Sequence, residues 1–174
     1  VNSDGSVNIG QNMSSPILPM LRAGVRLGIS KDFKNIKWYG RGPEEAYCDR
    51  KTGQRIARFE SGIDEFSHRY MRPQENGNRT DVRSFEITDK DGNGFSVSSD
   101  FPFEVQVQKY SQEKIEKAMH LHELCEDEYL SLSIDARQRG VGGDMPGTAC
   151  LHEPYKMHNG NYSFAFCIRG VEKE

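Results

Sequence analysis

Apolar side chains recur at every second position in four separate stretches, and this commits the chain to strands. From Ala23, residues Val25, Leu27 and Ile29 share one face, while Arg22, Gly24, Arg26 and Gly28 take the other. Phe103, Val105 and Val107 alternate with Glu104, Gln106 and Gln108; Leu130, Leu132 and Ile134 alternate with Tyr129, Ser131 and Ser133. Tyr162, Phe164, Phe166 and Ile168 alternate with Ser163, Ala165 and Cys167. A period of two predicts half-buried antiparallel strands. Phe85–Ile87 and Phe95–Val97 flank Asp89–Gly94, whose residues tolerate positive φ, so this pair reads as a hairpin. One helix is expected over 112–119, with Ser111 at its N-cap and Glu113 in its first turn. The acidic run Glu126–Glu128 reads as a solvated turn. Residues 1–19 are polar and read as a strand pair or a frayed lead-in. The sum is an all-β sandwich with one short helix.

The 174 residues suit one domain and can bury a real core. A formal net charge of -3 and dispersed arginines give no electrostatic footprint for nucleic acid or an anionic membrane. No apolar run approaches the roughly 20 residues of a membrane span. Val1–Gly10 lacks the apolar region of a signal peptide, and the first residue is not Met, which fits a segment of a longer chain. The compartment is therefore not set by these residues. Cys48, Cys125, Cys150 and Cys167 form no metal-type spacing and read as free thiols.

Two stretches hold the polar chemistry. In Trp38–Thr52, Gly40, Gly42 and Pro43 break a strand, and Arg41, Glu44, Asp49 and Arg50 can form an ion-pair lattice. In Arg72–Arg83, Arg72, Arg79 and Arg83 surround Glu75 and Asp81, with a turn at Asn76-Gly77. Arg72, Glu75, Asn76, Arg79 and Asp81 can either line a polar pocket for sugar hydroxyls or form a structural brace. A glycosidase needs two carboxyl groups about 5–5.5 Å or about 6.5–9.5 Å apart, and Glu75 with Asp81 is the first pair to inspect. His120-Leu121-His122 places two imidazoles on one strand face near Glu123 and Cys125; a metal site there needs a third ligand from elsewhere, and none is marked, so no metal is assigned. Asn12, Asn78 and Asn161 each open a glycosylation sequon. Gly140-Val141-Gly142-Gly143-Asp144 is a Gly-rich loop without the Lys-Ser/Thr of a phosphate loop, and reads as a rim loop at one end of the sandwich.

The order of these motifs resembles the C-terminal, small-chain region of the β-galactosidases of glycoside hydrolase family 2. The likeness runs from Leu21–Gly28 through Trp38–Thr52, Arg72–Arg83, Asp100–Phe103, Tyr110-Ser111, His120–Leu124, Gly140–Asp144 and Asn159–Phe164. It implies a distorted antiparallel sandwich, the supersandwich of galactose mutarotase-like type. Residues 1–20 would be the tail of an upstream part of that sandwich, and 21–174 the domain proper. It also implies a parent enzyme that hydrolyses terminal β-galactosides with retention. Its two catalytic glutamates and its Mg²⁺ and Na⁺ ions lie at a (β/α)8 barrel, so no catalytic residue, metal or other cofactor is assigned to this segment. The implied partners are that barrel, the other domains of the enzyme and a carbohydrate substrate; family members often form homo-oligomers. Many members have, after the Gly-Gly-Asp turn, a tryptophan that stacks on the aglycone sugar; the matching position here is Gly147. The implied aglycone rim is Gly143, Asp144, Met145, Pro146, Gly147 and His152, with Tyr155 as a replacement contact.

Two rivals make different demands. A stand-alone carbohydrate-binding module needs exposed aromatics, for which Tyr39, Tyr47 and Tyr155 are candidates. A sugar mutarotase needs His68, His120, His122, His152 or His158 to face a carboxylate in a concave pocket.

Overall fold

A computed structural model describes residues 1–15, 20–143 and 150–173. Eight strands account for about half of the described chain: β1 (Val7–Ser15), β2 (Arg22–Ile29), β3 (Asn35–Gly42), β4 (Arg55–Gly62), β5 (Arg79–Thr88), β6 (Gly94–Gln108), β7 (Leu130–Gln138) and β8 (Gly160–Val171). Every pairing is antiparallel. The main path runs β1-β8-β6-β5-β3-β4, with β7 also on β6 and β2 on β7. β1 is zipped to β8 along its whole length, from Val7 opposite Ile168 to Ser15 opposite Gly160.

The long strand β6 converts this sheet into a sandwich-like fold. Its first part, Gly94–Ser98, lies between β5 and β8, and its last part, Glu104–Gln108, pairs with β7. Between them the register on β5 jumps. Ser84 faces Ser98, yet Val82, two residues earlier, faces Phe103, five residues later. The surplus on β6 is a bulge containing Asp100-Phe101-Pro102, and a bulge bends its strand and re-aims the sheet. Pro102 suits it, since proline has no N–H for a ladder. Phe101 stands out at the bulge, 76% exposed.

Apolar side chains from both arms meet in one core. Ile36, Trp38, Phe85, Ile87 and Val97 pack with Phe103, Val105, Val107, Leu132 and Ile134, and Phe164 and Phe166 join them from β8. Each such side chain, taken fully out of water, contributes about 1.5–3 kcal/mol. The alternation read in β2, β6, β7 and β8 thus places the expected apolar faces inward.

The polar faces depart from expectation. Glu104, Gln106 and Gln108 on β6, and Ser131, Ser133 and Asp135 on β7, are buried as well. The C-terminal half of β6 and most of β7 are therefore covered on both sides, because loop segments lie across the polar face. Periodicity reports which side chains share a face, but not what later covers it.

Other elements follow the sequence in part. The hairpin forms around Asp89, whose Oδ1 accepts the N–H groups of Asp91 and Asn93 at 2.8 and 2.9 Å, with Gly92 at φ 87°. The expected helix is α2 (Gln112–Lys117), two residues shorter than read. Ser111 occupies its N-cap position, but its hydroxyl makes no capping bond; its carbonyl accepts the N–H of Lys114 and Ile115 instead. A second one-turn helix, α1 (Ile63–Phe66), was unmarked by periodicity because it is four residues long; it buries Ile63 and Phe66. His120-Leu121-His122 lies at a 3-10 turn, Leu121–Glu123, and not on a strand. The acidic run is ion-paired: Glu126 meets Lys31 and Lys109, and Asp127 meets Lys114 at 2.6 Å.

Candidate functional site

The two polar motifs fold together and lie on the polar face of β6 and β7. Ala46 and Asn78 are sewn back to back: Ala46 N–H donates to the Asn78 carbonyl at 2.8 Å, and Asn78 Nδ2 returns a bond to the Ala46 carbonyl at 3.0 Å. Glu45 accepts the N–H of Gly77 at 2.7 Å and also receives Tyr70 Oη and the Arg50 guanidinium. Tyr47 donates to Glu75 at 3.2 Å. Beneath them, Gln106 Nε2 donates to Glu75 and to the Asn76 carbonyl, and Gln108 Nε2 bonds Asn76 twice, at 2.8 and 3.0 Å. Nearly every polar group of the strand face therefore has a partner, which buried amides and carboxylates require.

Arg79 and Asp81 belong to other parts of this assembly. Arg79 is 2% exposed, with its guanidinium 4.2 Å from the Phe66 ring centre and 5.1 Å from that of Trp38. Its Nη groups donate to the carbonyls of Gly77 and Phe66 at 3.1 and 3.2 Å. Burial pushes it down to about 10, so it stays charged at neutral pH. Asp81 joins Arg41 at 2.5 Å and Lys51 at 3.0 Å, on a backbone with φ 52°. Burial acts to raise Asp81, but the bonds from Arg41 and Lys51 prevail and hold its carboxyl below the usual range. The ion-pair lattice thus forms with a changed membership. Arg41 pairs with Asp81 and Arg50 with Glu45, while Glu44 is exposed and Asp49 is used elsewhere. Glu75 and Asp81 sit in separate networks, each already engaged by donors, which is a bracing arrangement and not that of a free carboxylate pair.

Asp49 anchors the Gly-rich loop. Its Oδ2 accepts the Gly142 N–H at 2.7 Å, and Gly140 N–H donates to the Tyr155 carbonyl at 2.9 Å. A Cβ on Gly140 would lie 2.6 Å from the Asp49 carboxylate and 2.8 Å from Leu151, so glycine is required by the close approach. Gly143 and His152 border a hollow of about 430 Å³ shared with Asp49, Arg50, Leu151 and Tyr155. Asp144, Met145, Pro146 and Gly147, expected at the same rim, lie outside the described residues.

A larger cleft, about 640 Å³, joins the foot of this loop to the second motif. Arg22, Arg72, Glu75, Gln138, Gly140 and Val141 are among its walls. Its floor is held by Arg22, which pairs with Asp135 at 3.0 Å and donates to Gln106 and Gln138 at 2.9 and 3.0 Å. Of the five residues read as a polar pocket or a brace, Arg72 and Glu75 line this cleft, Asn76 is buried beside it, and Arg79 and Asp81 are held in the bonds described above. Arg22, Glu104 and Asp135 were not singled out from sequence. The available signal was a run of long amide and carboxylate side chains, Glu104, Gln106 and Gln108, where an open strand face usually holds lysine, threonine or serine.

Three further expectations change. Tyr47 is fully buried, so it offers no face to a sugar; Tyr39 packs under the Arg58 and Arg83 guanidinium groups, and Tyr155 is 36% exposed. Among the described residues, no histidine lines the large cleft; His68 lines a separate hollow with Asp64 and Glu126, His152 borders the smaller one with Asp49, and His120 and His158 meet carboxylates at surface turns, Glu123 at 2.9 Å and Glu153 at 3.6 Å. The fully buried Asn78 is out of reach of glycosylation in the folded chain, whereas Asn12 and Asn161 are exposed.

The family model described as β-galactosidase small chain matches residues 1–168. The chain belongs to the β-galactosidase small-chain family. It is 37% identical over 158 residues to a β-galactosidase of Halalkalibacterium halodurans, covering 90% of this chain and 15% of that protein. It is 34% identical over 170 residues to β-galactosidases of Priestia megaterium and Psychromonas ingrahamii, covering 96% and 97% of this chain and 16% of each relative. The chain thus spans about a sixth of the length of these relatives.

In this small-chain domain two carboxylates sit where burial opposes their charge. Burial raises Glu104 to about 7, although it accepts bonds from Asn78 Nδ2 at 2.7 Å and Gln138 N–H at 3.2 Å. Burial likewise raises Asp135 to about 6, against the pull of Arg22. Both groups bind protons more tightly when folded than unfolded, so their ionisation weakens the fold as pH rises from about 4 towards about 7. Between pH 5 and pH 8 the chain should lose on the order of 4 kcal/mol from this source. Urea unfolding at the two pH values checks this, and a midpoint that rises or stays level at pH 8 contradicts it.

Proposed function

We propose that this chain is the C-terminal, non-catalytic domain of a β-galactosidase-like, family 2 glycoside hydrolase, that it buttresses the catalytic barrel, and that it shapes the aglycone side of the active site through residues 140–148. The parent hydrolyses terminal β-galactosides with retention, using glutamates on its (β/α)8 barrel, where Mg²⁺ and Na⁺ also sit. The segment alone is inactive. Its sandwich is of the supersandwich, galactose mutarotase-like type, with residues 1–20 as the tail of an upstream part, and the assembled enzyme is a homo-oligomer.

The observation that supports this reading most is the meeting of the Gly140 loop with Arg72 and Glu75 around one open cleft, on a floor of fixed polar groups. A rigid scaffold under a loop is how binding surfaces are commonly built. Arg72 is exposed at this cleft and can donate in a planar fork to hydroxyl or carboxylate oxygens. Gly147 stands where many family members have tryptophan, so the aglycone subsite lacks that platform and suits a galactoside other than lactose or a longer glycan.

Deleting residues 140–148 in the full-length enzyme should lower kcat/KM for disaccharides by about tenfold or more, as loss of roughly 1.4 kcal/mol of aglycone contact would. Small aryl galactosides should change little. Equal losses on both substrate classes would remove the subsite part of the proposal.

A further inference from the structure

We infer that His120, His122 and Glu123 form a surface site for a divalent transition-metal ion of the zinc type. The two imidazole rings lie nearly parallel, 5.4 Å apart at their centres with 19° between planes. One donor atom from each of the three side chains lies within 4.8 Å of the other two. Sequence spacing alone showed two imidazoles on a presumed strand and left the third ligand to be sought elsewhere. The 3-10 turn supplies it locally by bringing Glu123 back beside His120, with Glu123 Oε1 2.9 Å from His120 Nδ1.

The turn is a built one. Its backbone closes through Glu123 N–H to the His120 carbonyl at 3.1 Å and Leu124 N–H to the Leu121 carbonyl at 3.2 Å. Glu123 Oε2 is held by the Met119 N–H at 2.9 Å, which orients the carboxylate in the way outer-shell partners orient ligands. On the inner side Leu121 and Leu124 line a hollow with Ile115 of α2, while the three polar side chains face water.

The donor set selects the ion class. Two imidazoles and one carboxylate suit zinc, cobalt, nickel or copper, whereas magnesium and calcium prefer all-oxygen shells. Zinc–nitrogen bonds of about 2.0–2.1 Å require the donors to close from their present spacing. All three side chains are exposed, so rotation of χ angles achieves this without repacking any neighbour. Three protein ligands leave at least one position for water or for a donor from an adjoining surface.

The test is calorimetric titration of this chain with ZnCl2, repeated with CoCl2 to read the visible d–d spectrum. A Cys125→Ser, Cys150→Ser background removes the two exposed thiols as competitors. One equivalent of zinc should bind in that background, with a four- or five-coordinate cobalt spectrum. His120→Ala and His122→Ala should each weaken binding at least about tenfold, since loss of an outer-shell partner alone costs about 10–100-fold. Glu123→Gln should also weaken it, and unchanged thermal melts of the metal-free variants confirm that the fold is intact. No stoichiometric binding by the background chain, or undiminished binding by the His120→Ala, His122→Ala double variant, overturns the inference.

Discussion

Replacing Arg79 by alanine should destabilise this chain by about 2–5 kcal/mol, the range for truncating a large buried side chain and leaving a cavity. Arg79 is among the largest fully buried side chains of the chain. Among the described residues no carboxylate forms a salt bridge with it; carbonyl oxygens of Gly77, Asn78 and Phe66 and the faces of Trp38 and Phe66 hold it instead. Truncation leaves those carbonyls without their donor and opens a cavity beside two aromatic rings, and both effects cost free energy. The Arg79→Met variant separates them. It fills most of the volume but supplies no donor, so it should lose less, about 1–3 kcal/mol. Urea unfolding of both variants gives the comparison. A loss below about 1 kcal/mol for Arg79→Ala would mean that the guanidinium braces nothing.

Gly24→Ala should be nearly as damaging, and it acts at the cleft. Gly24 sits at the irregularity in the β2–β7 pairing, opposite Asp135. An added Cβ would lie 2.2 Å from Asp135 Oδ1 and 2.3 Å from the Ile134 carbonyl. One contact is backbone and the other a buried carboxylate already paired with Arg22 at 3.0 Å, so neither can move cheaply. The strand must shift, at a cost of about 2–4 kcal/mol, comparable to severe overpacking. Because Arg22 and Gln138 wall the cleft, the same substitution in the full enzyme should also weaken disaccharide turnover. Thermal melting of the chain measures the first effect; a fall in melting temperature of less than about 2 °C would contradict it.

The strand faces were legible because alternation is a local property: Val105 and Val107, or Leu132 and Ile134, point one way whatever surrounds them. The burial of Glu104, Gln106 and Asp135 was not legible, since it depends on Asn76 and Asn78 arriving from a distant loop. The bulge at Asp100–Pro102 left only a proline and an unexplained exposed phenylalanine as its trace. For the site, the motifs identified the right segments but not the division of labour within them. Arg72 and Arg79 are equal as residue types; one ends exposed in a cleft and the other buried against two rings, and only long-range packing decides which. His120 and His122 were placed on a strand because a three-residue 3-10 turn has too few positions to show a period.

We propose that the sugar subsite exists only when this domain stands beside its barrel. Calorimetric titration of the isolated chain with galactose, lactose and a longer β-galactan tests it most directly. No heat of binding is expected with any of the three. Saturable binding of any one of them would contradict it and would identify the chain as a carbohydrate-binding module in its own right.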